Sequence, residues 1–139
     1  MKKVNLLWLL LIIGSFANAK IYTCPDKVHL EKGSIATVDI PSGFQQHVSS
    51  APVWLTGVNA YDGPPEEGGQ LKPANVDGKS STIVWKFPKE SNSSLWLTCD
   101  YADQLMQIAV KVNDSPSECV ATVKKYWTTK VLQAHFECK

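Results

Sequence analysis

An all-β fold, an antiparallel meander or small sandwich stapled by two disulfides, follows from three features of this 139-residue chain. Apolar side chains in its C-terminal half recur with a period of two, the repeat of a half-buried strand. Clusters of Gly, Pro, Ser and Asp punctuate those runs, and no helical periodicity is sustained over a long segment. Four cysteines, Cys24, Cys99, Cys119 and Cys138, follow an export signal. An even number in an exported domain reads as a two-bridge framework with three connectivities open.

The export signal comes first. Met1-Lys2-Lys3 is basic, Leu6 to Ile13 is uninterrupted and apolar, and Ala17-Asn18-Ala19 is a small-x-small cleavage site. This is the pattern of a cleaved secretory signal peptide over residues 1–19. The apolar run falls short of the roughly 20 residues that span a bilayer, so no stable membrane anchor is expected. Residues 20–139 then read as one domain in an oxidising compartment, with a core of its own.

Along that domain, Ile21 to Cys24 and Ala36 to Ile40 are strand-like, and Pro41-Ser42-Gly43 forces a turn. Pro52 to Tyr61 is rich in β-formers, with Gly57 at a bulge or close backbone approach. A Pro/Gly loop, Asp62-Gly63-Pro64-Pro65-Glu66-Glu67-Gly68-Gly69, ends it. Ile83, Trp85 and Phe87 then share a face, as do Leu95, Leu97, Cys99 and Tyr101. Met106, Ile108, Val110 and Val112 come next, then Cys119, Ala121 and Val123, and finally Leu132, Ala134, Phe136 and Cys138. The segment from Tyr101 to Val112 also fits a short helix, but Val110 and Val112 alternating with polar residues favour strand.

These runs read as consecutive strands of one meander covering one side of a core. With the last turn at Trp127-Thr128-Thr129, Cys119 and Cys138 lie nearly opposite on neighbouring strands and pair. Cys24 then pairs with Cys99 by elimination.

Charge and motifs exclude several functions. Residues 20–139 carry twelve lysines, no arginine and thirteen acids, a formal charge of −1. That is no nucleic-acid footprint, and without Arg there is no bidentate clamp for phosphate. His29, His47 and His135 are scattered and no metal-ligand spacing is present, so no metal or other cofactor is expected. No nucleophile elbow, phosphate-binding loop or zinc-protease helix occurs, and no catalytic residue is assigned. Glu66 and Glu67 are adjacent carboxylates with no visible means of shifting their pKa.

The same loop is informative as a shape. Asp62-Gly63 makes a turn and Pro64-Pro65 stiffens the chain beyond it, leaving little entropy to lose on binding. Tyr61 flanks it as a candidate aromatic anchor. Of the other aromatics, Trp85 falls on an apolar face, whereas Trp96 and Trp127 fall where a surface is expected. Trp96 and Trp127 would suit stacking on a glycan. The candidate binding residues are therefore Tyr61, Asp62, Pro64, Pro65, Glu66, Glu67, Trp96 and Trp127.

Cys24-Pro25, Asp62-Gly63-Pro64-Pro65-Glu66, Leu71-Lys72-Pro73, Trp85-Lys86-Phe87, Trp96-Leu97-Thr98-Cys99-Asp100-Tyr101, Cys119 and Cys138-Lys139 together resemble a family of small exported bacterial proteins. Genes of that family often lie near type VI secretion genes. The resemblance extends over essentially all of residues 20–139. It implies a periplasmic immunity protein that binds and blocks a cognate protein toxin, for instance one that modifies peptidoglycan. A cell-wall glycan-binding protein or a lysozyme inhibitor is the alternative. The sequence leaves the oligomeric state open.

Overall fold

The strand Leu132–Cys138 shows the simplest link from sequence to packing. Leu132, Ala134, Phe136 and Cys138 are buried, and the residues between them are exposed or half-buried. Side chains of a strand point alternately to opposite faces, so a period of two in apolarity becomes a period of two in burial. The computed structural model describes residues 19–31, 39–43, 45–47, 51–75, 81–88, 94–125 and 132–139. Among these, the strands are β1 (Lys20–Cys24), β2 (Lys27–Val28), β3 (Val53–Asp62), β4 (Thr82–Lys86), β5 (Leu95–Tyr101), β6 (Met106–Val112), β7 (Glu118–Lys125) and β8 (Leu132–Cys138).

They form two four-stranded antiparallel sheets, in the orders β1-β8-β7-β4 and β2-β3-β5-β6. The fold is thus all-β, and two sheets replace the single meander expected from β4 onward. β4 pairs with β7 rather than with β5, and β5 pairs with β3 and β6. The chain changes sheets between β1 and β2, between β3 and β4, between β4 and β5, and between β6 and β7. Alternation specifies which side chains face inward, whereas the neighbour of a strand depends on where the connections lead.

One core is assembled from both sheets. Leu55, Val58 and Ala60 of β3 and Leu97 and Tyr101 of β5 join Trp85, Cys119, Ala121, Ala134 and Phe136 of the other sheet. Trp85 and Phe136 pack with ring centroids 6.0 Å apart and planes tilted by 39°, within the favoured range for aromatic pairs. The Tyr101 ring is fully buried, and its hydroxyl donates to the Pro25 carbonyl at 2.7 Å. Burial, with Asp26 and Asp100 nearby, pushes the Tyr101 phenol above the ordinary tyrosine value of 10.0.

Both disulfides are those expected. Cys119–Cys138 joins residues directly opposite on β7 and β8, 4.1 Å apart at Cα. Cys24–Cys99 ties β1 of one sheet to β5 of the other, closing a sequence separation of 75.

Other expectations fare differently. The strand at Ala36 to Ile40 falls mostly outside the described residues, and Asp39 and Ile40 lie in no strand. Gly57 sits at a register shift in the β3–β5 ladder, as a bulge requires. Met106–Val112 is a strand, but Ile108 and Val110 on its apolar face remain 46% and 38% exposed because β6 is a sheet edge. Residues 1–18 and Trp127 lie outside the described residues.

Candidate functional site

The Pro/Gly loop after β3 is braced from both sides. Its arms continue antiparallel pairing: Leu71 N–H donates to Ala60 O at 2.8 Å, Asp62 N–H donates to Gly69 O at 2.8 Å, and Tyr61 bridges Gln70. From the residue just before β5, the Ser94 carbonyl accepts the Gly63 N–H at 2.8 Å. At the tip, Pro65–Glu67 makes one 3-10 turn with Pro at its start, where the missing N–H costs nothing. Glu67 N–H donates to Pro64 O at 2.9 Å.

Two glycines make this path possible. Gly68 closes the turn at φ 77, in the left-handed region, with its N–H on Pro65 O at 3.1 Å. At Gly69, an added Cβ would overlap the Asp62 carbonyl oxygen, so the arms approach this closely only without a side chain. The root is held from the core side as well, where the Trp85 indole N–H donates to Leu71 O at 3.2 Å.

This scaffold sorts the candidate residues. Asp62, Glu66 and Glu67 are exposed, and Pro64 and Pro65 are half-buried. None of the three acids forms an ion pair with a described residue. Tyr61 is 5% exposed, so it is a supporting residue at the loop root rather than an open aromatic anchor. Trp96 lies directly across from Tyr61 in the ladder, half-buried, with its indole N–H on Ser94 Oγ at 3.3 Å. The structure therefore brings Trp96 and the acidic loop to the same end of the β3–β5 pair.

The described tryptophans do not form a stacking row. Trp85 is core at 1% exposure, and Trp54 is 44% exposed near the opposite end of β3 from Trp96, with the Lys27 ammonium 5.4 Å from its ring centroid. Among the described residues no group of three or more His, Cys, Asp or Glu is placed to hold a metal ion.

A polar network that sequence reasoning missed lies beside the loop. Asp100 is 1% exposed yet carries a carboxylate, which accepts from Asn59 Nδ2 at 2.5 Å, Thr98 Oγ1 at 2.8 Å and Gln107 Nε2 at 2.9 Å. Gln107 Nε2 also donates to the Tyr61 hydroxyl at 3.1 Å, and Gln70 Nε2 donates to Asn59 Oδ1 at 2.7 Å. Burying a carboxylate is costly unless several donors replace its water. Here the carboxylate's donors come from three strands, and Gln70 of the loop arm donates to one of them, Asn59, so the network ties the loop root to the sheet. Its only signal in the sequence is an acid inside the apolar run Leu95 to Tyr101.

The chain is thus a two-sheet, disulfide-stapled domain whose braced loop presents three exposed carboxylates. The chain belongs to the type VI secretion system Tli immunity protein family, whose model matches residues 49–139. It is an immunity protein for a type VI secreted toxin. The match spans β3 to β8 and includes the loop, Trp96 and the whole Asp100 network. No curated protein and no solved structure matches the chain.

Proposed function

We propose that this immunity protein acts in the periplasm, as a single domain of residues 20–139 released from its signal peptide, and neutralises its toxin by binding without catalysis. The contact is carried by the loop from Asp62 to Gly69, with Trp96 at its root. One observation carries the reading: three exposed carboxylates sit on a loop whose backbone is fixed on both arms before any partner arrives. Such a loop suits a basic cleft, because little entropy is lost on docking and charge complementarity speeds encounter. The two disulfides fit an oxidising compartment. A peptidoglycan-modifying toxin is the family expectation, but the loop's chemistry bears on the protein surface it meets and not on that toxin's substrate.

The test is calorimetric titration of the purified toxin with the wild-type protein, with Glu66→Lys/Glu67→Lys, and with Gly69→Ala. The double reversal should weaken binding by roughly ten-fold or more and reverse its salt dependence, with circular dichroism unchanged. Gly69→Ala should weaken binding by displacing the arms while leaving all three acids in place. Unchanged affinity in both variants would place the contact elsewhere.

A further inference from the structure

We infer that β6 is the contact edge of a homodimer, paired antiparallel with β6 of a second copy about a two-fold axis at Ala109. The proposal stands apart from the loop reading, since β5 separates β6 from the strand that carries the loop.

Among the described residues, β1, β2, β4 and β6 are the sheet edges. An open edge presents unpaired N–H and C=O groups to any other strand, and proteins usually shorten, cover or charge it. β2 is two residues long. β4 is covered: Ala74 N–H donates to Val84 O at 2.6 Å, and the Asn75 side chain both donates to Thr82 O at 2.6 Å and accepts from Val84 N–H at 2.7 Å. β1 opens with Lys20, whose ammonium pairs with Asp114 at 3.6 Å.

Among the described residues, β6 has no such device at its centre. It runs for seven residues in regular register with β5, without proline or bulge. Ile108, Ala109 and Val110 at its middle are all exposed. Ile108 and Val110 also line a cavity of about 170 Å³ with Tyr22, Leu97 and Phe136, which opens between β6 and β1.

The sequence of β6 selects a second copy as the occupant, because it is complementary to itself. With Ala109 on the axis, Met106 faces Val112, Gln107 faces Lys111 and Ile108 faces Val110 of the other copy. All seven residues are then paired. Apolar side chains meet apolar ones over the cavity mouth, and each lysine meets a neutral amide. An axis at Ile108 or Val110 leaves two residues of the strand unpaired, and an axis at Lys111 sets two ammonium groups against each other. Axes between residues would pair inward with outward side chains.

The exported protein, purified with both native bridges formed, should sediment at twice the monomer mass. Val110→Lys should sediment as a monomer with unchanged circular dichroism. Ala109→Cys tests the axis without relying on that variant, because residues facing each other across antiparallel strands lie about 4.5–5.5 Å apart at Cα, within disulfide reach. It should form a disulfide-linked dimer, whereas Lys124→Cys, on the exposed end of β7, should not. A protein that stays monomeric at every soluble concentration, with no Ala109→Cys cross-link, overturns the proposal. So does a dimer that survives Val110→Lys, or a monomer whose Val110→Lys variant loses only toxin binding, which would give the edge to a strand of the toxin.

Discussion

The Trp85 indole N–H donates to the Leu71 carbonyl at 3.2 Å, and through this bond the core of one sheet holds the loop that rises from the other. Leu71 in turn donates its own N–H to Ala60 O. A tryptophan that is 1% exposed is thus at once a packing residue and a positioning residue.

Replacing it separates those roles. Trp85→Phe keeps an aromatic ring against Phe136 but removes the donor and some volume. Leaving a carbonyl unsatisfied costs about 1–3 kcal/mol, and the smaller ring adds to that. Urea denaturation should show this loss, and toxin affinity should fall with it because the loop root is loosened.

The two disulfides should contribute unequally. In the chain-entropy account, constraint of the unfolded chain grows with the loop closed, giving about 4.5 kcal/mol for a separation of 75 and about 3 kcal/mol for a separation of 19. Paired serine substitutions at Cys24 and Cys99 should therefore lower the thermal midpoint more than those at Cys119 and Cys138. Calorimetric melts of the two double variants check the order.

Asp100 is the most exacting position in the network. Asp100→Asn keeps the shape but turns one acceptor oxygen into a donor facing other donors. The expected loss is about 1–3 kcal/mol in urea denaturation, with faster amide exchange at the loop root. Stability equal to wild type would show that the network carries little of the fold.

Tyr101 sets an alkaline limit. Its folded pKa is raised above 10.0, chiefly by burial. Below 10 both folded and unfolded states hold the proton, and the group is neutral with respect to stability. As pH rises past 10 the unfolded state loses its proton first, so it binds fewer protons than the native state and stability falls. Ultraviolet titration of tyrosinate should show a phenol ionising above 10.0 that is missing from Tyr101→Phe, and that substitution should flatten the alkaline fall in stability.

Much of this was legible in the sequence, for physical reasons that can be named. The alternation of β8 and the cysteines of β7 and β8 are local, and a short hairpin fixes its own register, so Cys119–Cys138 followed from spacing. The transfer of β4 to the other sheet was not legible, because periodicity reports a face and not a neighbour. Thr98 and Asp100 occupy outward positions that usually meet water, yet both are buried, with Asn59 and Gln107 donating to the Asp100 carboxylate from the neighbouring strands. Tyr61 reads as an exposed flank in sequence for the same reason. The acids at 62, 66 and 67 were legible because Pro and Gly can hardly build anything there but a turn.

The central claim, that the braced acidic loop carries toxin binding, is tested most directly by hydrogen exchange of the protein free and bound to its toxin. The loop reading predicts new protection over residues 62–71 and around Trp96, with the outer face of β7 and β8 unchanged. Protection confined to other surfaces, with residues 62–71 exchanging as in the free protein, would contradict it.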